Sequence, residues 1–200
     1  MTYQRRSTPK SIRTRETIEK AARELFAAHG FEKTTVREIG ARAGIDPSMV
    51  MRYFGSKDAL FAHVAEPDLQ LPDLQQVDMA EIGTHLVRHF LDQWEGGGGS
   101  GMAVLLRSAA SNDEAAERLQ TIFRTQVFPA IARAGPPATA DRRAGLVATQ
   151  LLGLALTRYV LRLPPVVALE AEEIISTIGE TIRRYAVGEG LSAQAQAQAD

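Results

Sequence analysis

The 200-residue chain is 44% hydrophobic and 24% charged, a balance that suits one folded domain or two small ones, and it lacks the roughly 18 uninterrupted apolar residues of a membrane span. It contains no cysteine, which excludes disulfides, thiolate catalysis and cysteine-based zinc sites. The net charge of −1 hides a separation by sign: residues 1–60 carry 12 Lys/Arg against 7 Asp/Glu, and the remainder carries 11 against 17. A basic head on an acidic body is the expected signature of a DNA-binding module joined to a different one.

Residues 1–10, with Arg5, Arg6 and Lys10 and no acid, read as a flexible basic arm. Such an arm can reach phosphates or the minor groove, or be a tail without a role. Residues 11–29 form an amphipathic helix with Ile18, Ala21, Ala22, Leu25 and Phe26 on its apolar face. Gly30 ends it, and Phe31 turns back into a small core with Phe26, Ile39, Val50 and Phe54.

The run TTVREIGARAGIDPSMVMRYFGSK, residues 34–57, organises the head. Thr34 or Thr35 can cap a first short helix, and Gly44 is placed to end it in the left-handed conformation. Asp46 and Pro47 then supply the cap and first position of a second helix. This helix carries Val50 and Phe54 inward and leaves Ser48, Met49 and Arg52 on the opposite face. Helix, glycine-containing turn, helix is the pattern of a DNA-binding helix-turn-helix, and also of an ordinary helical hairpin. Ser56 caps a fourth helix with Leu60 and Val64 inward, and Pro67 and Pro72 then mark a boundary.

Beyond the boundary the pattern is helical, without strand alternation. Residues 77–94 form a helix with Ile82, Leu86, Phe90 and Trp94 on one side. Residues 96–101 are glycine-rich and read as a mobile loop, without the lysine of a phosphate loop. Helices follow over 102–110 and 113–134, the latter bent at Pro129. The segment 139–163 is the most apolar, and such a helix needs cover on nearly all sides. Pro164-Pro165 ends it, and a last helix covers 168–187. Pairing of these last two helices with a second copy, as an intermolecular four-helix bundle, is the favoured way to cover them. The tail SAQAQAQAD, within residues 189–200, reads as disordered.

The motif TTVREIGARAGIDPSMVMRYFGSKDALFAHV, in an all-α chain of this length, resembles the TetR-type transcriptional repressors. The resemblance covers about residues 12–64; the rest agrees in helix count and in the RYVLRLPP end of the penultimate helix. It implies an N-terminal three-helix helix-turn-helix domain, residues 11–65, and a C-terminal helical ligand-binding and dimerisation bundle, residues 66–188. It also implies a dimer that binds a palindromic double-stranded DNA operator and releases it when a small-molecule effector enters the larger domain. By position, Ser48, Met49 and Arg52 match base-facing places and Arg37 a place from which DNA is reached. Tyr53 and Lys57 match phosphate contacts, and Thr35 lies where a hydroxyl bonds a phosphate or simply caps its helix. Arg52 can donate twice to a guanine edge, and Met49 can pack on a thymine methyl. Met51 stands where the family commonly has a tyrosine, which removes one phosphate hydrogen bond.

Phe90, Trp94 and Phe123 are the expected effector-lining residues, suited to an apolar or aromatic ligand, with plain core packing as the alternative. His85 and His89, four apart, have a zinc-compatible spacing but no glutamate in HExxH order, and read as a surface or pocket-lining pair. No nucleophile elbow is present and Glu172-Glu173 read as a solvated edge, so no enzyme, cofactor or metal is expected. A regulator without an effector, or an activator, remains open at this point. Cytoplasmic location is the expectation.

Overall fold

The computed structural model describes residues 9–65, 67–96 and 99–191, and among them it contains helices and no strand. Of the flexible arm expected over 1–10, residues 1–8 lie outside the described residues while Pro9 and Lys10 are helical; of the disordered tail expected over 189–200, residues 192–200 lie outside them while the Leu191 amide closes a turn on Gly188 at 3.1 Å. Two compact units form: Met1–Glu66 with Ser100–Arg118, and Pro67–Gly99 with Leu119–Asp200.

In the first unit α1 spans Pro9–Lys33, α2 Val36–Ala43, α3 Pro47–Phe54 and α4 Lys57–Val64. Helix α1 is longer than the sequence pattern suggested. Gly30, at φ 76° and ψ 170°, kinks it instead of ending it, and one further helical turn follows. The buried Thr34 stitches this kink, its hydroxyl facing the carbonyls of Leu25 at 3.1 Å and Gly30 at 2.9 Å. Phe26, Phe31 and Phe61 make a three-ring core with centroids 5.0–5.9 Å apart, an arrangement favourable for edge-to-face contact. Phe61, on α4, takes the place expected of Phe54, which is only half-buried and lies beside His63 and under the Arg15 guanidinium. Helix α6, Gly99–Ser108, begins earlier than expected, so the glycine-rich segment is partly helical, while Gly97 and Gly98 are outside the described residues. Its Val104 and Leu105 are buried, as is Ala115 on α7, Asp113–Ile122.

The second unit is built on α5, Ile82–Glu95; α8, Phe128–Arg133; α9, Ala140–Ala155; and α11, Ala171–Val187. Helix α5 starts at Ile82 and not at 77, because Asp73 and Asp78 cap local turns through the amides of Gln75 and Ala80 instead. It crosses α11 at Gly83 and Gly179, where a Cβ on Gly83 would lie 1.9 Å from the Gly179 carbonyl oxygen. Their core comprises Ile82, Leu86, Val87 and Leu91 against Ile174, Ile175 and Ile182, with Val147 and Leu154 from α9.

The expected bend at Pro129 is a π-helical turn over Phe123–Val127 just before it; the wider turn accommodates a ring that cannot donate an amide hydrogen bond. A second π turn, Leu156–Val160, ends the apolar helix three residues before the prolines, and Pro164–Val167 form a short helix of their own, α10. Leu152, Leu156, Leu161, Leu163 and Val167 are exposed along this stretch.

Arg143 is fully buried and lies among carbonyls. Its Nη1 donates to Ile131 at 2.7 Å and Ala186 at 2.6 Å, and its Nη2 to Pro136 at 3.1 Å and Ala132 at 3.3 Å. The guanidinium thereby joins the C-terminal ends of α8 and α11, where unpaired carbonyls and the helix dipole favour a cation.

Candidate functional site

The α2–α3 turn is set by local chemistry. Thr35 caps α2: its hydroxyl accepts from the Glu38 amide at 3.2 Å, while the Glu38 carboxylate accepts from the Thr35 amide at 2.8 Å. Gly44 adopts φ 66°, the left-handed conformation that closes a helix with least strain, and the Ile45 amide returns to the Gly40 carbonyl at 2.9 Å. A Cβ at Gly40 would sit 2.7 Å from the Ile45 carbonyl oxygen, so a glycine is needed for this approach. Asp46 caps α3 by accepting from the Ser48 amide at 2.8 Å and from the Ser48 hydroxyl, which holds its carboxyl below the usual aspartate range.

Helix α3 buries Val50 and presents Ser48, Met51 and Arg52 to solvent at i, i+3, i+4 spacing. Met49, expected on this face, is half-buried, and Met51 is the more open methionine at 41% exposure. The i, i+3, i+4 spacing from Ser48 selects Met51, whereas the sequence reading places Met49 opposite to Val50 and Phe54. Arg37 on α2 is exposed, as is Thr35, and Tyr53 is half-buried. Lys57 starts α4 with its ammonium 4.1 Å from the centre of the Phe31 ring, a cation–π contact that aims the side chain. The first unit thus combines an exposed α3 face, carrying one guanidinium and one thioether, with cations and hydroxyls around it. Such a surface is suited to base edges flanked by phosphates.

In the second unit Phe90 and Trp94 come together, their centroids 5.7 Å apart, and both meet Tyr159 from the apolar segment 139–163. Trp94 stacks on Tyr159 at 4.7 Å and 13°. Phe123 lies in the first π turn, packed against the hydrophobic core. Beside the stack is an open cleft of about 300 Å³ lined by Glu95, Arg158, Tyr159, Arg162 and Val167. The Tyr159 hydroxyl donates to Glu95 at 3.2 Å; burial, then the nearby carboxylate, push its pKa up to about 12. Signals for Tyr159 and Arg158 were absent because they meet Trp94 and Glu95 only through tertiary packing.

His85 is exposed, and His89 bonds the Leu69 carbonyl at 2.7 Å through Nε2. No group of three or more metal-ligating side chains occurs among the described residues. Nor, among them, is any helix long and apolar enough to cross a membrane.

Residues 18–64 match the family model described as bacterial regulatory proteins of the tetR family, and residues 80–186 match that of a tetracyclin repressor-like C-terminal domain. The HTH-type transcriptional repressor AcnR of Corynebacterium efficiens is 36% identical over 59 residues, 30% of this chain and 31% of that protein. The chain thus matches about a third of the length of this curated relative. A TetR-family regulator from Streptomyces coelicolor A3 is 30% identical, covering 92% of this chain and 99% of that one, with a TM-score of 0.48. A transcriptional regulator from Rhodococcus sp. Rha1 is 25% identical over 84% of this chain and 93% of its own, with a TM-score of 0.50.

Proposed function

Since the chain belongs to the tetR family of bacterial regulatory proteins, we propose that it is a repressor that binds a palindromic operator as a homodimer and leaves it when a small molecule binds. The observation that carries this reading is the exposed face of α3, held by the Gly44 turn and the Asp46 cap. In the proposed complex Arg52 donates to a guanine edge and Ser48 lies beside it on the exposed face, with the half-buried Met49 at its margin. Arg37, Tyr53, Lys57 and Thr35 lie on the phosphate side and fix register.

Dimerisation through residues 139–163 and 168–187 is supported by the apolar side chains left open there, Leu152 at 42% and Leu156 at 38% exposure. A twofold dimer would set two α3 helices in successive major grooves, about 34–36 Å apart. The effector is placed near Phe90 and Trp94, and it releases DNA only by favouring a dimer whose spacing is wrong for the operator. Phe123 has a core role in this account. Location in the cytoplasm follows from the proposed access to DNA.

The test is a gel shift against DNA flanking the protein's own gene, with and without candidate small molecules. A retarded band that mutation of a palindrome abolishes, and that a compound releases, supports the proposal. Retardation that no compound changes would leave a dimeric regulator without an effector, and no sequence-dependent retardation would remove the DNA-binding reading itself.

A further inference from the structure

After the second π turn the Arg162 backbone takes φ 53°, a region that a residue with a Cβ occupies only when its surroundings hold it there. The neighbouring amides provide that hold: Leu161 donates to the Leu156 carbonyl at 2.7 Å and Leu163 to the Thr157 carbonyl at 2.9 Å. Arg162 is therefore presented to the cleft from a pinned backbone.

The charges of the cleft divide unevenly. Glu95 accepts from the Tyr159 hydroxyl at 3.2 Å and from Arg158 Nη2 at 3.4 Å, so its charge is answered within the wall. Arg158 Nη1 is committed to the carbonyls of Val166 at 2.8 Å, Leu169 at 3.0 Å and Val167 at 3.3 Å. The exposed Arg162 has no hydrogen-bond or ion-pair partner among the described residues of the single chain, which leaves the cleft of one protomer with one surplus cation. A volume of about 300 Å³ is at the low end of the range for small-molecule sites, and Tyr159 and Val167 provide apolar wall. A planar guanidinium pairs best with a planar carboxylate through two parallel hydrogen bonds. One surplus positive charge matches a monocarboxylate better than a doubly charged phosphate.

We infer that the cleft bounded by Glu95, Arg158, Tyr159, Arg162 and Val167 binds a small aromatic monocarboxylate, with Arg162 as its anion receptor. The inference rests on the effector-sensing reading of the second unit and gives that effector a charge, where the aromatic residues alone had suggested only an apolar or aromatic ligand.

Trp94 is the chain's sole tryptophan and stacks on a wall residue of the cleft, so its emission reports on the site. Benzoate, benzyl alcohol, benzylamine and inorganic phosphate are titrated at constant ionic strength into the full-length protein. Benzoate is expected to give a saturable change, with the others at least about tenfold weaker; Arg162→Gln should weaken benzoate by about the same factor at unchanged melting temperature, and Arg162→Lys, which keeps the charge but not the fork, should fall between. No saturable response to benzoate, an equal response to benzyl alcohol, or indifference to Arg162→Gln overturns the inference. If Arg162→Gln does not fold, the ligand series on the unaltered protein decides. An operator gel shift on the same samples separates the two readings. A benzoate-dependent Trp94 signal without operator release keeps the anion site and removes the sensor reading. Operator release by neutral compounds, with no carboxylate response, does the reverse.

Discussion

Thr35 and Glu38 hold each other in a reciprocal cap in which the Thr35 hydroxyl both accepts from the Glu38 amide, at 3.2 Å, and donates to the Glu38 carboxylate, at 2.9 Å. The hydroxyl is thereby committed within the protein, and Thr35 serves first as the cap of α2, whatever phosphate lies nearby. Thr35→Ala is expected to cost roughly 1 kcal/mol in urea unfolding, and Thr35→Ser only a few tenths. The bonds from Thr35 hold the Glu38 carboxyl below the ordinary glutamate range. A depressed folded pKa contributes stability above the ordinary glutamate value that is lost as pH falls through the folded one. The difference between the wild type and Glu38→Gln in unfolding midpoint should therefore shrink on acidification; a constant difference would remove the electrostatic part of the cap.

Gly40 provides an opposing pair of effects. Alanine in place of glycine favours an isolated helix by about 1 kcal/mol. Here its methyl would meet the Ile45 carbonyl oxygen at 2.7 Å and Pro47 at 3.3 Å, and those backbone atoms carry the turn. Gly40→Ala should be net destabilising by roughly 1–3 kcal/mol and should weaken operator binding by displacing α3. A stabilised variant with intact binding would show that the turn yields easily.

The helix-turn-helix was legible because its determinants are local. Gly44, Asp46 and Pro47 sit within four residues of one another and act through their own backbone. The longer helices were legible from periodicity, but the start of α6 in the glycine-rich segment and the short α10 at Pro164 were not, and the late start of α5 was missed because Asp73 and Asp78 formed turns of their own. The cleft was not legible. Glu95 meets Arg158 and Tyr159 across more than 60 positions, and the π turn that aims Arg162 has no sequence signature of its own. Nothing in the sequence pattern of 139–163 singles out Arg143, and only the fold shows four carbonyls closing around it.

Arg143 should be among the costliest residues to replace. Burial pulls its pKa below the ordinary arginine value, and no carboxylate partners it among the described residues; the carbonyls of Ile131 and Ala186 hold the charge. Arg143→Met removes the charge but strands buried acceptors at the ends of two helices, with an expected loss of roughly 3–5 kcal/mol by urea denaturation. Arg143→Lys, which has one donor group in place of a fork, should fall between. An unchanged midpoint for Arg143→Met would mean that water or local rearrangement satisfies those carbonyls.

Tyr159 gives a pH signature. Its pKa, raised to about 12 mainly by burial, exceeds the ordinary value of 10.0. For a raised folded pKa the stabilising contribution is fully present below the ordinary value and is lost as pH climbs to the folded one. A phenolate absorbance titration of the native protein should show one late-ionising tyrosine, and Tyr159→Phe should delete that late step. Loss of a step at the ordinary value instead would contradict the buried, Glu95-facing placement.

The central claim is that the exposed α3 face reads sequence while residues around it only hold the backbone. Quantitative competition gel shifts, with the operator and its single-base variants, test it through Arg52→Ala and Lys57→Ala. Arg52→Ala should lose roughly 1–3 kcal/mol on the operator and stop discriminating at one base position in each half-site. Lys57→Ala should weaken every sequence almost uniformly and lower the salt dependence of binding, with a further loss of about 0.5–1 kcal/mol in stability from the Phe31 contact. Uniform losses on all sequences for both variants, with discrimination intact, would contradict the account.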